Sequence, residues 1–346
     1  MNTVIINGKF MADRMQGIVR YARELCDAID KNAGTIKWFL AIPCNAINVP
    51  DYKNITVLKI GSHKGILWEQ LDLRSFVNKN KNARCLNFCN VTPFFMKPGI
   101  TTIHDVMYKA NPQDYKTIRN RLSRIWHCFQ YFYICKHEKV ILTDSNYSKS
   151  QIEKYYPSAR GKIQVVKCGW QHVNMYKDNP EWEQAYPFLK KKEFYFSLST
   201  LSRNKNGKWI VEVAKRNPNS VFAIAGKYYE SDIIDIPRNV YMLGFVSDED
   251  ACSLIKNCKA FIHPALYEGF GLPPLEAMAL GAVVISSNLT SLPEVLNGSV
   301  HYVNPYDYDI DLDVLLNQPV EDSQKVLQNL SWKESATNII SIAQNA

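Results

Sequence analysis

The stretch AFIHPALYEGFGLPPLEAMALGAVVIS, residues 260–286, contains a full strand, loop, helix and strand cycle. Ala260–His263 is a short apolar run of the length a buried strand needs. Pro273 and Pro274 suit a first helical turn, where the N–H groups have no intrahelical partner in any case. That places a helix over Pro274–Leu280 and a second apolar strand over Val283–Ser286. Strands that are apolar throughout and joined by helices argue for a parallel sheet covered on both faces.

The same cycle recurs along the chain. Strands are predicted at Thr3–Asn7, Lys37–Ile42, Ile55–Lys59, Arg84–Phe88, Thr101–His104 and Lys139–Thr143, with a helix over Gly17–Ile29. Beyond residue 190 the pattern restarts. Strands fall at Phe194–Leu198, Val221–Ala225 and Val240–Leu243, and helices at Gly207–Lys215 and Asp248–Asn257. Two starts argue for two doubly wound α/β domains, 1–172 and 173–330, with the seam in the aperiodic 169–190 segment. A terminal helix over 331–346 is expected to return to the first domain. In such sheets ligands sit beyond the carboxyl ends of the strands, so domains facing each other would place the site in the cleft between them.

Composition narrows the class. The 346 residues are 46% hydrophobic and 21% charged, which excludes a disordered chain or a small disulfide scaffold. No apolar run approaches the ~18 residues of a membrane span, and the first residues lack a basic segment ahead of an apolar one. The nine cysteines form no CxxC, and a soluble cytoplasmic protein with reduced thiols is expected. Charge is uneven. Through residue 173 there are 26 Lys and Arg against 12 Asp and Glu, and the remainder has 15 against 21. A first half at +14 suggests an anionic partner. Within it, Lys116 to Lys139 sets Lys116, Arg119, Arg121 and Arg124 beside Trp126, Phe129, Tyr131, Phe132 and Tyr133, a composition that suits an anionic membrane surface.

The 260–286 stretch also concentrates chemistry. Gly269 and Gly271 ahead of a helix allow backbone N–H groups to converge on an anion, and the helix end adds about half a positive charge. Glu276 is read in the first helical turn, projecting into the same cleft as Glu268. Two acids beside a phosphate cradle are better suited to grip hydroxyl groups than the phosphate itself.

Glu268-GFGLPPL-Glu276 resembles the E-x7-E signature of the family-4 glycosyltransferases, whose fold is GT-B. Met15-Gln16-Gly17-Ile18-Val19-Arg20-Tyr21 resembles that family's early glycine loop. Trp68-Glu69-Gln70, Thr102-Ile103-His104-Asp105, Thr143-Asp144-Ser145-Asn146-Tyr147-Ser148 and Ser291-Leu292-Pro293-Glu294 are similar to segments of its polysaccharide-building members.

The resemblance implies a retaining transfer of a sugar from a nucleotide-diphosphate sugar to a hydroxyl of a saccharide or lipid-diphosphate-linked oligosaccharide, as in O-antigen or capsule synthesis by mannosyl- or rhamnosyltransferases. It gives Glu268 and the Gly269, Phe270 and Gly271 amides, with Leu272 following, the donor sugar and phosphates, and Glu276 the ribose. Lys205, within Leu201-Ser-Arg-Asn-Lys-Asn206, would neutralise the diphosphate. The family usually has arginine where Asn204 stands, so Arg203 is the candidate substitute. Gly17 would admit the donor phosphate, His104 would line the reaction centre, and Phe245 with Val246 would cradle the base. No metal or other cofactor is expected, so the departing charge falls to Lys205, Arg203 and the helix N-terminus. Asp105 reads either as a support behind the reaction centre or as a helix cap, and His263 as packed beneath the glycine loop.

Three rivals are a sugar-nucleotide epimerase or phosphorylase on this fold, a nucleic-acid-binding protein prompted by the basic half, and a silent sugar-nucleotide sensor. No nucleic-acid-binding motif is present, so no nucleic acid partner is expected. An enzyme of this kind would work in the cytoplasm, at the inner face of the cell membrane if its acceptor is lipid-linked.

Overall fold

The computed structural model describes residues 3–198, 202–226 and 235–345, and Leu201 of the Leu201–Asn206 motif lies outside them. The chain divides into two compact units, Met1–Gly169 with Ser331–Ala346, and Trp170–Leu330. The division falls at the start of the aperiodic 169–190 segment, three residues ahead of the 172/173 boundary expected from the sequence.

The first unit is built on β1 (Thr3–Asn7), β2 (Lys37–Ile42), β3 (Ile55–Lys59), β4 (Ala83–Asn87), β5 (Ile100–Thr102), β6 (Val140–Thr143) and β7 (Ile163–Val165). These pair in parallel in the order β3-β2-β1-β4-β5-β6-β7. The second unit repeats the plan with β8 (Phe194–Leu198), β9 (Val221–Ala225), β10 (Val240–Gly244), β11 (Ala260–His263), β12 (Val284–Ser287) and β13 (His301–Val303), ordered β10-β9-β8-β11-β12-β13. All of its pairs are parallel too.

In each sheet the chain winds outward from the middle, then crosses back and winds the other way. The reversal lies between β1 and β4 in one and between β8 and β11 in the other. A crevice opens at such a reversal, beyond the carboxyl ends of the strands. In the second unit the loops bounding that reversal carry Lys205, after β8, and Glu268, after β11.

Burial explains the strands' uniform apolarity. Phe194, Phe196, Phe222, Phe261 and Ile285 are sealed between helix layers, with Trp209 of the Gly207–Arg216 helix closing one side. In the first unit the terminal helix, Trp332–Asn345, packs on the Gly17–Asn32 helix. There Trp332 meets Tyr21 edge-on at 6.0 Å, and Arg84 donates to the Ala343 carbonyl at 3.0 Å. Among the described residues no helix is long and apolar enough to cross a membrane, and no disulfide joins any of the nine cysteines.

Candidate functional site

Beyond β8 the described chain resumes at Ser202 with a tight turn, Arg203–Lys205, closed by Asn206 in a left-handed conformation (φ 56°). Asparagine tolerates that region better than most side chains, and here its amide is put to use. Asn206 Nδ2 donates to the carbonyls of Pro264 (3.1 Å) and Pro305 (2.9 Å), tying together the loops that leave β8, β11 and β13. Asn204 adds a second tie, its carbonyl accepting from the Leu266 N–H at 2.7 Å. The residue that departs from the family pattern thus holds the loop by its backbone. Arg203 is exposed beside it.

These ties bring Lys205 against Glu268. Lys205 Nζ donates to Glu268 Oε1, and His263 Nε2 lies 2.9 Å from the same oxygen. His263 is sealed (1% exposed) at the end of β11, beneath the loop. Burial would push the Glu268 carboxyl up, but the Lys205 charge and the His263 hydrogen bond outweigh it and bring it down to about 2. Burial pushes the His263 imidazole down, only partly countered by Glu268. Glu268 is therefore an acceptor-only carboxylate at neutral pH. Its main chain is fixed as well: its N–H donates to Thr290 Oγ1 (3.2 Å), and Ser291 Oγ donates to its carbonyl (3.1 Å). Ser291 opens the Ser291–Glu294 segment singled out above.

A pH dependence follows. Glu268 titrates lower folded than unfolded, so its stabilisation is complete above the ordinary carboxylate value and is lost as pH falls toward 2. The loss is on the order of 3 kcal/mol. Urea midpoints measured from pH 5 to pH 2.5 should fall more steeply for the native chain than for Glu268→Gln. Parallel curves would remove the Lys205–Glu268 pair from the account.

The glycine loop ends at Gly271, which caps the Leu272–Ala279 helix with φ 99°. Phe270 is buried and Leu272 half-buried, so the main chain of this segment and not its apolar side chains is what faces outward chemistry. The helix begins two residues earlier than the prolines suggested, which moves Glu276 beyond the first turn; that turn carries no acid. Glu276 Oε1 instead accepts from His172 Nε2 at 2.7 Å. His172, fully buried, was not legible from sequence, because it lies 104 positions away in the aperiodic seam. At the end of β10, Phe245 is 95% exposed while Val246 is buried.

Asp-x-Asp spacings do occur, at Asp248/Asp250 and along Asp307–Asp313. Several of these aspartates have local partners. Asp250 accepts from Asn179 (2.6 Å), Asp313 pairs with Lys259 (2.7 Å), and Asp311 caps the Leu312–Leu316 helix. Among the described residues no group of three or more candidate metal ligands converges.

In the first unit, the segments around His104 and Asp144 join. His104 Nδ1 lies 2.6 Å from Asp144 Oδ2, and Nε2 lies 2.8 Å from the Phe88 carbonyl. Burial pulls this imidazole down, but Asp144 and the Phe88 carbonyl together raise it above its ordinary value, and both ring nitrogens are engaged. Ser148 Oγ donates to the His104 carbonyl (2.8 Å), and the Ser145 side chain caps the Asn146–Tyr155 helix. As placed, His104 positions the strand ends and has no ring nitrogen left for a substrate. Asp105 accepts from the Met107 N–H at 2.7 Å, a cap-like bond.

Trp68-Glu69-Gln70 lies in a π-helical turn whose side chains reach different loops: Trp68 to the Ile60 carbonyl (2.8 Å), Glu69 to Asn7 (2.9 Å) and Gln70 to the Phe94 N–H (3.0 Å). Burial, partly offset by Lys9, raises the Glu69 carboxyl to about 7. Gly17 starts the Gly17–Asn32 helix with open space where a Cβ would stand. Nothing within its own unit crowds that position.

Residues 178–312 match the family described as Glycosyl transferases group 1. O-antigen chain mannosyltransferase B of Escherichia coli is 28% identical over 270 residues, 71% of this chain and 65% of that relative, so the match spans just under two thirds of its length. Sucrose-phosphate synthase from Thermosynechococcus elongatus superposes with a TM-score of 0.74 at 15% identity, covering 100% of this chain and 98% of the other. HepE of Anabaena, solved in complex with UDP and glucose, gives 0.60 at 17% identity, covering 99% and 95%. The chain has the GT-B fold, and it resembles O-antigen mannosyltransferases.

Proposed function

We propose that the protein is a retaining, metal-independent glycosyltransferase of surface polysaccharide synthesis. It transfers mannose from a nucleoside-diphosphate sugar to a hydroxyl of a saccharide acceptor, itself lipid-linked. The observation that carries this reading is the Lys205–Glu268–His263 chain at the sheet reversal, in the loop leading to the Gly271-capped helix. The mannosyltransferases among the relatives and the UDP-bound neighbour support the donor class.

The chemistry follows from charge. The acceptor oxygen bonds to C1 of the sugar as the C1–O bond to the diphosphate breaks, and the bonding pair leaves with the diphosphate. The acceptor proton passes to a departing phosphate oxygen on the same face, which preserves the anomeric configuration. Among the described residues the site's two carboxylates, Glu268 and Glu276, are held as hydrogen-bond acceptors, which favours a single-step route over a two-step one. Lys205 meets the charge growing on the diphosphate, with the helix N-terminus beside it, in a setting fixed before reaction. Glu268, ionised and anchored by His263, accepts from sugar hydroxyls.

Thermal shift with UDP, GDP, dTDP, ADP and CMP in the presence of EDTA tests the donor site. One nucleoside diphosphate, at a hundred times its dissociation constant, should add about 2.7 kcal/mol of stability. A melt that none of them moves would overturn the assignment.

A further inference from the structure

The Ile118–His137 helix leaves one long face uncovered. Ile118, Leu122, Ile125, Phe129 and Phe132 are 78%, 63%, 60%, 52% and 51% exposed. Their spacing puts them within an arc of about 80° and along about 20 Å of helix. The opposite face is the one that packs, through Gln130, Tyr131, Ile134 and Cys135. Phe95 lies at the same helix, 77% exposed and held there by its N–H bond to Tyr133 Oη (2.7 Å) with φ 59°. Scattered apolar side chains are ordinary on a surface, but a continuous stripe is not.

Charge identifies what covers it. No acidic residue occurs between Asp114 and Glu138, whereas Lys116, Arg119, Arg121, Lys136 and Lys139 are all exposed. By helical position Arg119 and Arg121 fall on opposite flanks of the stripe. We propose that this helix face lies flat on an anionic lipid bilayer, with the apolar stripe among the acyl chains and the flanking cations at the headgroups. Amphipathic helices with this division bind membrane surfaces by both terms together. A second copy of the chain fits less well, since self-pairing would bring like charges together. A nucleic acid would leave five apolar side chains without a role.

Flotation of the full chain with vesicles tests this. Binding should be strong to phosphatidylcholine containing a third phosphatidylglycerol and weak to phosphatidylcholine alone. It should decline as salt rises from 0.1 M to 1 M, where the screening length shrinks from about 10 Å to about 3 Å. Leu122→Ser with Phe129→Ser, and separately Arg119→Ser with Arg121→Ser, should each lower the partition coefficient at least tenfold while leaving the melt unchanged. No binding to anionic vesicles, equal binding to neutral ones, or a stripe variant that instead converts a dimer to a monomer would overturn the proposal. None of these readouts depends on catalysis, so they stand or fall apart from the proposed reaction.

Discussion

Lys205→Ala should lower kcat/KM for sugar transfer at least tenfold, or about 1.4 kcal/mol of transition-state stabilisation. Two losses combine. The diphosphate loses the strong cation placed at the sheet reversal, and Glu268 is left a half-buried carboxylate beside His263 with no countercharge. Breaking such a pair is costly because the remaining charge is uncompensated. Lys205→Arg keeps the charge and should retain more activity than Lys205→Ala. Binding separates the electrostatic role from general damage: the alanine variant should lose affinity for a nucleoside diphosphate far more than for the nucleoside alone. Full activity in Lys205→Ala, or an equal loss for both ligands, would contradict the role.

Gly271→Ala should destabilise the second unit by about 1–3 kcal/mol, the range for a side chain forced into an unfavourable backbone region. At φ 99° an L-residue is strained, and the new Cβ would come within 2.5 Å of Leu292 Cδ2. Leu292 is fully buried and cannot swing aside cheaply. Roughly 2–4 °C per kcal/mol is expected in the melting temperature for a body of this size. Adding Leu292→Ala should relieve the clash but not the strain, so recovery should be partial. A Gly271→Ala melt equal to the native one would show that the loop adopts another conformation.

Much of the fold was legible because burial imposes uninterrupted apolar runs. Thr3–Asn7, Lys37–Ile42, Phe194–Leu198, Ala260–His263 and the Asp248–Asn257 helix read at their observed limits. The strands that escaped, Ile163–Val165 and His301–Val303, are three residues long and lie at the edges of their sheets. The equally short Ile100–Thr102 strand is central and buried throughout, whereas these two edge strands are only partly buried and lack the uniform apolarity that marks a buried run. The helix at 272 began early because prolines occupy its first turn, and that displaced Glu276 from where spacing put it.

Within the site, Lys205 and Glu268 could be singled out by residue type and by the resemblance. The residues that tie the surrounding segments together could not. His172 and Asn206 act through contacts 104, 58 and 99 positions away, which only the folded chain brings within reach. His104 shows the opposite case: its place at a strand end suggested a residue lining the reaction centre, and Asp144, 40 positions on, with the Phe88 carbonyl holds both ring nitrogens.

The central claim is that the Lys205–Glu268 site transfers a sugar from a nucleoside diphosphate with retention and without a metal. The most direct measurement is an NMR product analysis of the full chain incubated with GDP-mannose and a mannose oligosaccharide in EDTA, with UDP- and dTDP-sugars in parallel. The account predicts release of one nucleoside diphosphate and a new linkage with the anomeric configuration of the donor, abolished in Glu268→Ala. An inverted linkage, a requirement for added divalent metal, or no transfer from any donor by a folded chain would contradict it.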